Sequence, residues 1–107
     1  MTVYNKLVRD KIPQLIRQQG EEPNVRILDD EEYARCLADK LDEEVAEFHR
    51  DRNIEELADI LEVVIALTES VGASTEELME VYHRKHQERG GFADRAFLIS
   101  KEDRCLW

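Results

Sequence analysis

Apolar residues recur at helical spacing over most of this chain, and Gly, Pro, Asn and Asp divide the pattern into separate elements. The clearest stripe runs through Ala34, Leu37, Ala38, Leu41, Val45 and Phe48, which share one helical face. It predicts a helix from a cap at Asp29 or Asp30 to about Arg50. Asp51-Arg52-Asn53 interrupts the pattern, and a further helix runs from Ile54 to about Val71, ending at Gly72. So short a connection sets the two helices antiparallel. Upstream, Asp10 caps a short helix through Gln19, with Pro13 in its first turn and Gly20 beyond its end. Downstream, Ser74 and Glu77 make a capping box for a helix to about Arg89, stopped by Gly90-Gly91. Val25-Arg26-Ile27-Leu28 and Phe97-Leu98-Ile99 are short extended pieces able to pair as a ribbon. The expected fold is all-α, a bundle of about four helices, with or without a small two-stranded ribbon.

The helix beginning at Ile54 carries Leu57, Ala58, Ile60, Leu61, Val63, Val64, Ile65 and Leu67, covering more than half its circumference. One partner helix cannot bury so wide a face. Such a helix is either central in a monomeric bundle or shared between copies of the chain. With three other helices of moderate length to cover it, a homo-oligomer, dimer or tetramer, is the expected state.

A chain of 107 residues fits one domain, residues 1–107. A hydrophobic fraction of 42% beside a charged fraction of 37% describes a soluble globular protein. The net charge of −10 argues against a duplex nucleic-acid partner, which selects a basic face. The longest purely apolar run, Val63 to Leu67, is far too short for a bilayer, and MTVYNKLVRDKIP lacks a signal-peptide stretch. No membrane association and a cytoplasmic location are expected. Cys36 and Cys105 lack metal-type spacing and are expected to be unpaired thiols.

Acidic residues are abundant, so their spacing needs weighing. Asp29/Glu32, Asp39/Asp42, Glu44/Glu47, Glu56/Asp59, Asp59/Glu62 and Glu77/Glu80 all stand three apart. Each pair shares a helix face, with Cβ atoms about 5–6 Å apart. A single pair is ordinarily a solvated face. Glu44/Glu47 and Glu56/Asp59 differ because both flank the short connection at Asp51 to Asn53 and border the apolar stripe. Facing one another across antiparallel helices, they would make a four-carboxylate cluster. Without a cation such a cluster repels itself and takes up protons, so it implies a hard metal with oxygen ligands. Mg²⁺ is the default when phosphate oxygens complete the shell. An acidic surface without metal is the alternative that spacing leaves open.

Lys85 and Arg89, four apart on the last predicted helix, project from one side near its C-terminus. They suit phosphate oxygens, Arg89 as a fork and Lys85 as a point charge. They equally complement the helix dipole. Lys6, Arg9 and Lys11 make the N-terminus locally basic, to contact a nucleotide or a neighbouring subunit, or, as expected, to pair with surface acids. His49, His83 and His86 show no zinc spacing, and the sequence lacks a glycine-rich phosphate loop, an EF-hand loop and a nucleophile elbow.

YNKLVRDKIPQLI at Tyr4 to Ile16, KLDEEVAEF at Lys40 to Phe48, EELADILEVV at Glu55 to Val64 and KHQERGGF at Lys85 to Phe92 together resemble a known family. It is the MazG-like all-α nucleoside triphosphate pyrophosphohydrolase superfamily, in its small branch related to phosphoribosyl-ATP pyrophosphohydrolase. That family's E-x-x-E and E-x-x-D pattern falls on Glu44, Glu47, Glu56 and Asp59. The resemblance implies Mg²⁺-dependent hydrolysis of a nucleotide between its α and β phosphates, giving a monophosphate and pyrophosphate, and assembly into dimers or higher oligomers. On it, those four residues hold the metal, Glu44 or Glu47 activates the water, and Lys85 and Arg89 bind substrate. One departure is His83, where many members carry asparagine. The alternatives are a non-catalytic acidic helical interaction module and strict phosphoribosyl-ATP hydrolysis.

Overall fold

The computed structural model describes residues 1–102; Cys105 lies outside the described residues. Its elements are α1 (Ile12–Gln18), α2 (Asp30–Asp51), α3 (Ile54–Ser70) and α4 (Thr75–Arg89), with no strand among the described residues. The protein is therefore all-helical. It divides into two compact units, Met1–Thr75 and a second beginning at Glu76.

The first unit is organised by a hairpin of α2 and α3. Asp29 caps α2, its side chain accepting from the Glu32 N–H at 2.8 Å, and Asp30, Glu31 and Glu32 place negative charge at the positive end of the dipole. Arg52 ends α2 in the left-handed region, φ 51°, its N–H donating to the Phe48 carbonyl at 2.8 Å. That conformation is costly for a residue with a Cβ. The Arg52 guanidinium offsets part of the cost by lying 6.0 Å from the Phe48 ring centroid. Asn53 at once caps α3, accepting from the Glu56 N–H at 3.0 Å. The reversal is thus made by a C-cap and an N-cap back to back, and α2 and α3 pack antiparallel.

Among the described residues Leu37 of α2 and Val63 of α3 are the buried apolar side chains, 3% and 7% exposed, and Thr68 is buried with its hydroxyl donating to the Val64 carbonyl at 2.8 Å. Gly72 follows α3 at φ +83°, letting the Ala73 N–H turn back to the Thr68 carbonyl. The α3 face carrying Ile54, Leu57 and Leu61 is exposed, Leu61 by 57%.

One expectation needs correction, and one open alternative is decided. Lys11, not Asp10, stands at the N-cap of α1, and no side chain caps it; with Pro13 in the first turn, one of the orphan N–H groups is already absent. The ribbon does not form: residues 25–28 and 97–99 are neither strand nor bridge. Ile27 is 94% exposed and Phe97 and Ile99 are likewise open, so pairing would bury no apolar face, and an isolated two-stranded ribbon is marginal. Arg26 instead forks onto Glu32, at 3.2 and 2.6 Å, tying its segment to the start of α2.

In the second unit α4 buries none of its side chains. Tyr82 packs edge-on to His83 at 5.2 Å and stacks on His86 at 5.9 Å between ring centroids. Among the described residues no helix is long and apolar enough to cross a membrane, and Cys36 is a free thiol.

Candidate metal centre

Glu44 stands where the α2 stripe calls for an apolar side chain. Leu37, Leu41, Glu44 and Phe48 follow one another at spacings of four, three and four, so Glu44 faces α3 and is only 7% exposed. On α3, Glu56, Asp59, Val63 and Ala66 continue a matching line, with Val63 buried on it. Antiparallel packing lays one line on the other. Carboxylate oxygens of Glu44, Glu56 and Asp59 consequently lie within 4.8 Å of one another, as do those of Glu43, Glu44 and Glu47. Glu44 belongs to both groups, and Glu47 is near enough for its charge to bear on Glu56. The hairpin therefore joins the two acidic pairs chosen from spacing.

Of the other pairs, Asp59/Glu62 shares Asp59 with the cluster, its exposed Glu62 lining the same side of the hairpin, and the remaining three go elsewhere. Asp29 and Glu32 serve the α2 cap and the Arg26 fork, while Asp39, Asp42, Glu77 and Glu80 are exposed.

Two carboxylate oxygens in the seam, Glu44 Oε2 and Glu56 Oε2, are out of contact with solvent and without a hydrogen-bond partner. Burial, then the neighbouring charges of Glu47 and Asp59, pushes the Glu44 carboxyl above its ordinary range, against the pull of Lys40. Lys40 Nζ is one turn away, at 3.6 Å from Glu44 Oε1. Glu56 is also pushed up, by burial and by the neighbouring carboxylates of Glu47, Asp59 and Glu44. Orphaned oxygens and raised carboxyls mark a place short of positive charge. Hard oxygen donors of this kind are able to hold a metal ion.

Some of the surroundings have no signature in the spacing. The stretch before α1 lies along the seam: Arg9 Nη2 donates to Asp59 Oδ1 at 2.7 Å, and Lys6 Nζ donates to Glu43 Oε1 at 2.7 Å. Lys40 Nζ reaches the other Glu43 oxygen at 3.4 Å. Glu43 is thereby neutralised on both oxygens, its carboxyl held below the ordinary range, first by the Lys6 hydrogen bond. Lys6 and Arg9 pair with acids as expected, but with acids of this cluster. A cleft of about 170 Å³ opens here, its walls including Arg9, Lys40, Glu44, Asp59 and Val63. Lys40 was legible in principle as the cation four residues before Glu44; Arg9 and Lys6 were not.

Lys85 and Arg89 lie four apart on α4, in the second unit, and both are exposed. His83 is occupied edge-on with Tyr82.

No family model and no solved structure match the chain. A stretch of 42 residues, 39% of this chain, is 60% identical to a Mycolicibacterium smegmatis protein described as uncharacterized, so the likeness carries no activity across. The matched stretch spans 43% of that relative, less than half its length.

Proposed function

We propose that this chain is a cytoplasmic, Mg²⁺-dependent nucleotide pyrophosphohydrolase of the MazG-like kind, converting a nucleoside triphosphate to its monophosphate and pyrophosphate. The observation that carries the reading is Glu44: a carboxylate 7% exposed, with an oxygen lacking any partner, set among Glu56, Asp59 and Glu47. An acidic surface has no need to bury a carboxylate in a helix seam, where it costs about 1–3 kcal/mol unless something satisfies it.

In this reading Glu44, Glu47, Glu56 and Asp59 hold the metal. Bound there, Mg²⁺ supplies the positive charge against which a triphosphate's developing negative charge is stabilised. Glu44 or Glu47 accepts the proton of the attacking water. Lys85 and Arg89 offset charge on the departing pyrophosphate. Their role rests on their spacing on α4 and on the resemblance of the KHQERGGF segment. Self-association through α3 belongs to the same reading, supported by the exposed Ile54, Leu57 and Leu61.

The test is pyrophosphate release over a panel of canonical and damaged nucleoside triphosphates and phosphoribosyl-ATP, with and without Mg²⁺. Metal-dependent release from one or more of them is expected. Absence of release throughout would replace the enzyme with the acidic interaction module.

A further inference from the structure

Two cations of the stretch before α1 reach the acidic seam, and they do different work. Lys6 sits on Glu43, whose second oxygen is also taken, by Lys40. Glu43 is outside the Glu44–Glu56–Asp59 group, so a metal placed among those three does not take the carboxylate on which Lys6 sits. Arg9 sits on Asp59 itself, one of the three. Its side chain is 54% exposed and Asp59 is 40% exposed, so the pair is open to competition. A guanidinium has five donors in a planar fork, and Asp59 Oδ1 receives one. The stretch has no regular secondary structure to hold Arg9 in one place.

We propose that Arg9 is an exchangeable phosphate ligand: it neutralises Asp59 in the metal-free protein and turns to a substrate phosphate when a divalent cation takes Asp59. This rests on the metal-dependent reading of the seam and adds to it a substrate-binding residue and a metal-gated strap. Asp59, if it held a divalent cation, would have that cation in competition with Arg9 for its carboxylate, and the two positive charges would repel. The displaced fork remains at the cleft it lines, tethered by Lys6 three residues earlier. Phosphate is the bidentate acceptor that a guanidinium suits best. Metal binding thus makes the phosphate site, and in its absence Arg9 keeps Asp59 from standing as an uncompensated charge.

The experiment uses the full chain as wild type, Arg9→Gln and, as a control for loss of one surface cation on α1, Arg17→Gln. Mn²⁺ alone is titrated into metal-free protein by electron paramagnetic resonance, and Mn²⁺-loaded tripolyphosphate is then titrated by calorimetry. Arg9→Gln is expected to bind Mn²⁺ about two- to fivefold more tightly, the range of an exposed ion pair removed as competitor. The same variant is expected to bind tripolyphosphate about tenfold or more weakly, for loss of a charge-assisted contact. Arg17→Gln should match wild type in both. Opposite signs are the signature, since a structural tie would weaken both. Any other pair of signs overturns the exchange while leaving the metal reading intact; a wild type that binds no Mn²⁺ overturns both. Independently of variant folding, the Arg9 Nε–H resonance of the wild type should shift on saturation with Mg²⁺, and a resonance that stays in place overturns the proposal.

Discussion

Replacing Glu44 with Gln separates a strained carboxylate from an ordinary one, because the amide keeps the shape and removes the charge. In the metal-free protein Glu44 Oε2 is buried without a partner, which costs about 1–3 kcal/mol. Lys40 at 3.6 Å returns no more than about 1 kcal/mol. The amide also donates, so it can bond the Glu47 or Asp59 carboxylate that repelled its predecessor. Glu44→Gln is therefore expected to stabilise the metal-free protein by about 1 kcal/mol at pH 7, a rise of roughly 4–8 °C in Tm for a domain of this size. The assay is thermal unfolding followed by circular dichroism, in chelator, at several pH values. The Glu44 carboxyl is raised in the folded state, so its contribution is fully present below the ordinary carboxylate pKa of 4.5 and is lost as pH rises through the raised value. The advantage of Gln should accordingly shrink towards about pH 4, where both side chains are neutral. A fall in Tm at pH 7 would refute the reasoning, showing that the Lys40 pair outweighs the orphaned oxygen.

Further outcomes follow from the same seam and from α3 and α4. Divalent-cation affinity, read by Mn²⁺ resonance, should decline with falling pH from above the ordinary carboxylate range, since the Glu44 and Glu56 carboxyls are raised; a profile that stays flat until the ordinary carboxylate range is reached would contradict this. Asp59→Asn and Glu47→Gln should each abolish Mg²⁺-dependent pyrophosphate release, whereas Glu80→Gln, an exposed acid of α4, should not; equal behaviour removes the four-carboxylate site. Leu61→Lys, on the exposed stripe of α3, should convert a wild-type dimer or tetramer to monomer by light scattering, and a monomeric wild type at micromolar concentration excludes that interface. Lys85→Ala and Arg89→Ala should each weaken nucleotide binding by about tenfold without lowering Tm, as fits exposed cations that contact phosphate; unchanged affinity leaves them as complements to the α4 dipole.

The helices were legible because what makes them is local. The Leu37–Phe48 stripe, the Asp29 cap and the Gly72 stop each act within a few residues, and α2 and α3 begin and end within a residue or so of where those signals lie. The metal candidates were partly legible for the same reason: residues three apart share a face, and a two-residue reversal brings one helix back along the other. Spacing alone did not separate Glu44/Glu47 from Asp39/Asp42, a pair of equal spacing that the structure leaves exposed; that distinction depends on what lies opposite. The ribbon failed where local pattern was weakest, since a short apolar alternation becomes a strand only if another strand covers it. Arg9 on Asp59 and Lys6 on Glu43 join residues 50 and 37 positions apart, and no period in the sequence links them. Their pairing depends on how the stretch before α1 lies along a finished helix hairpin, so only the tertiary structure decided it.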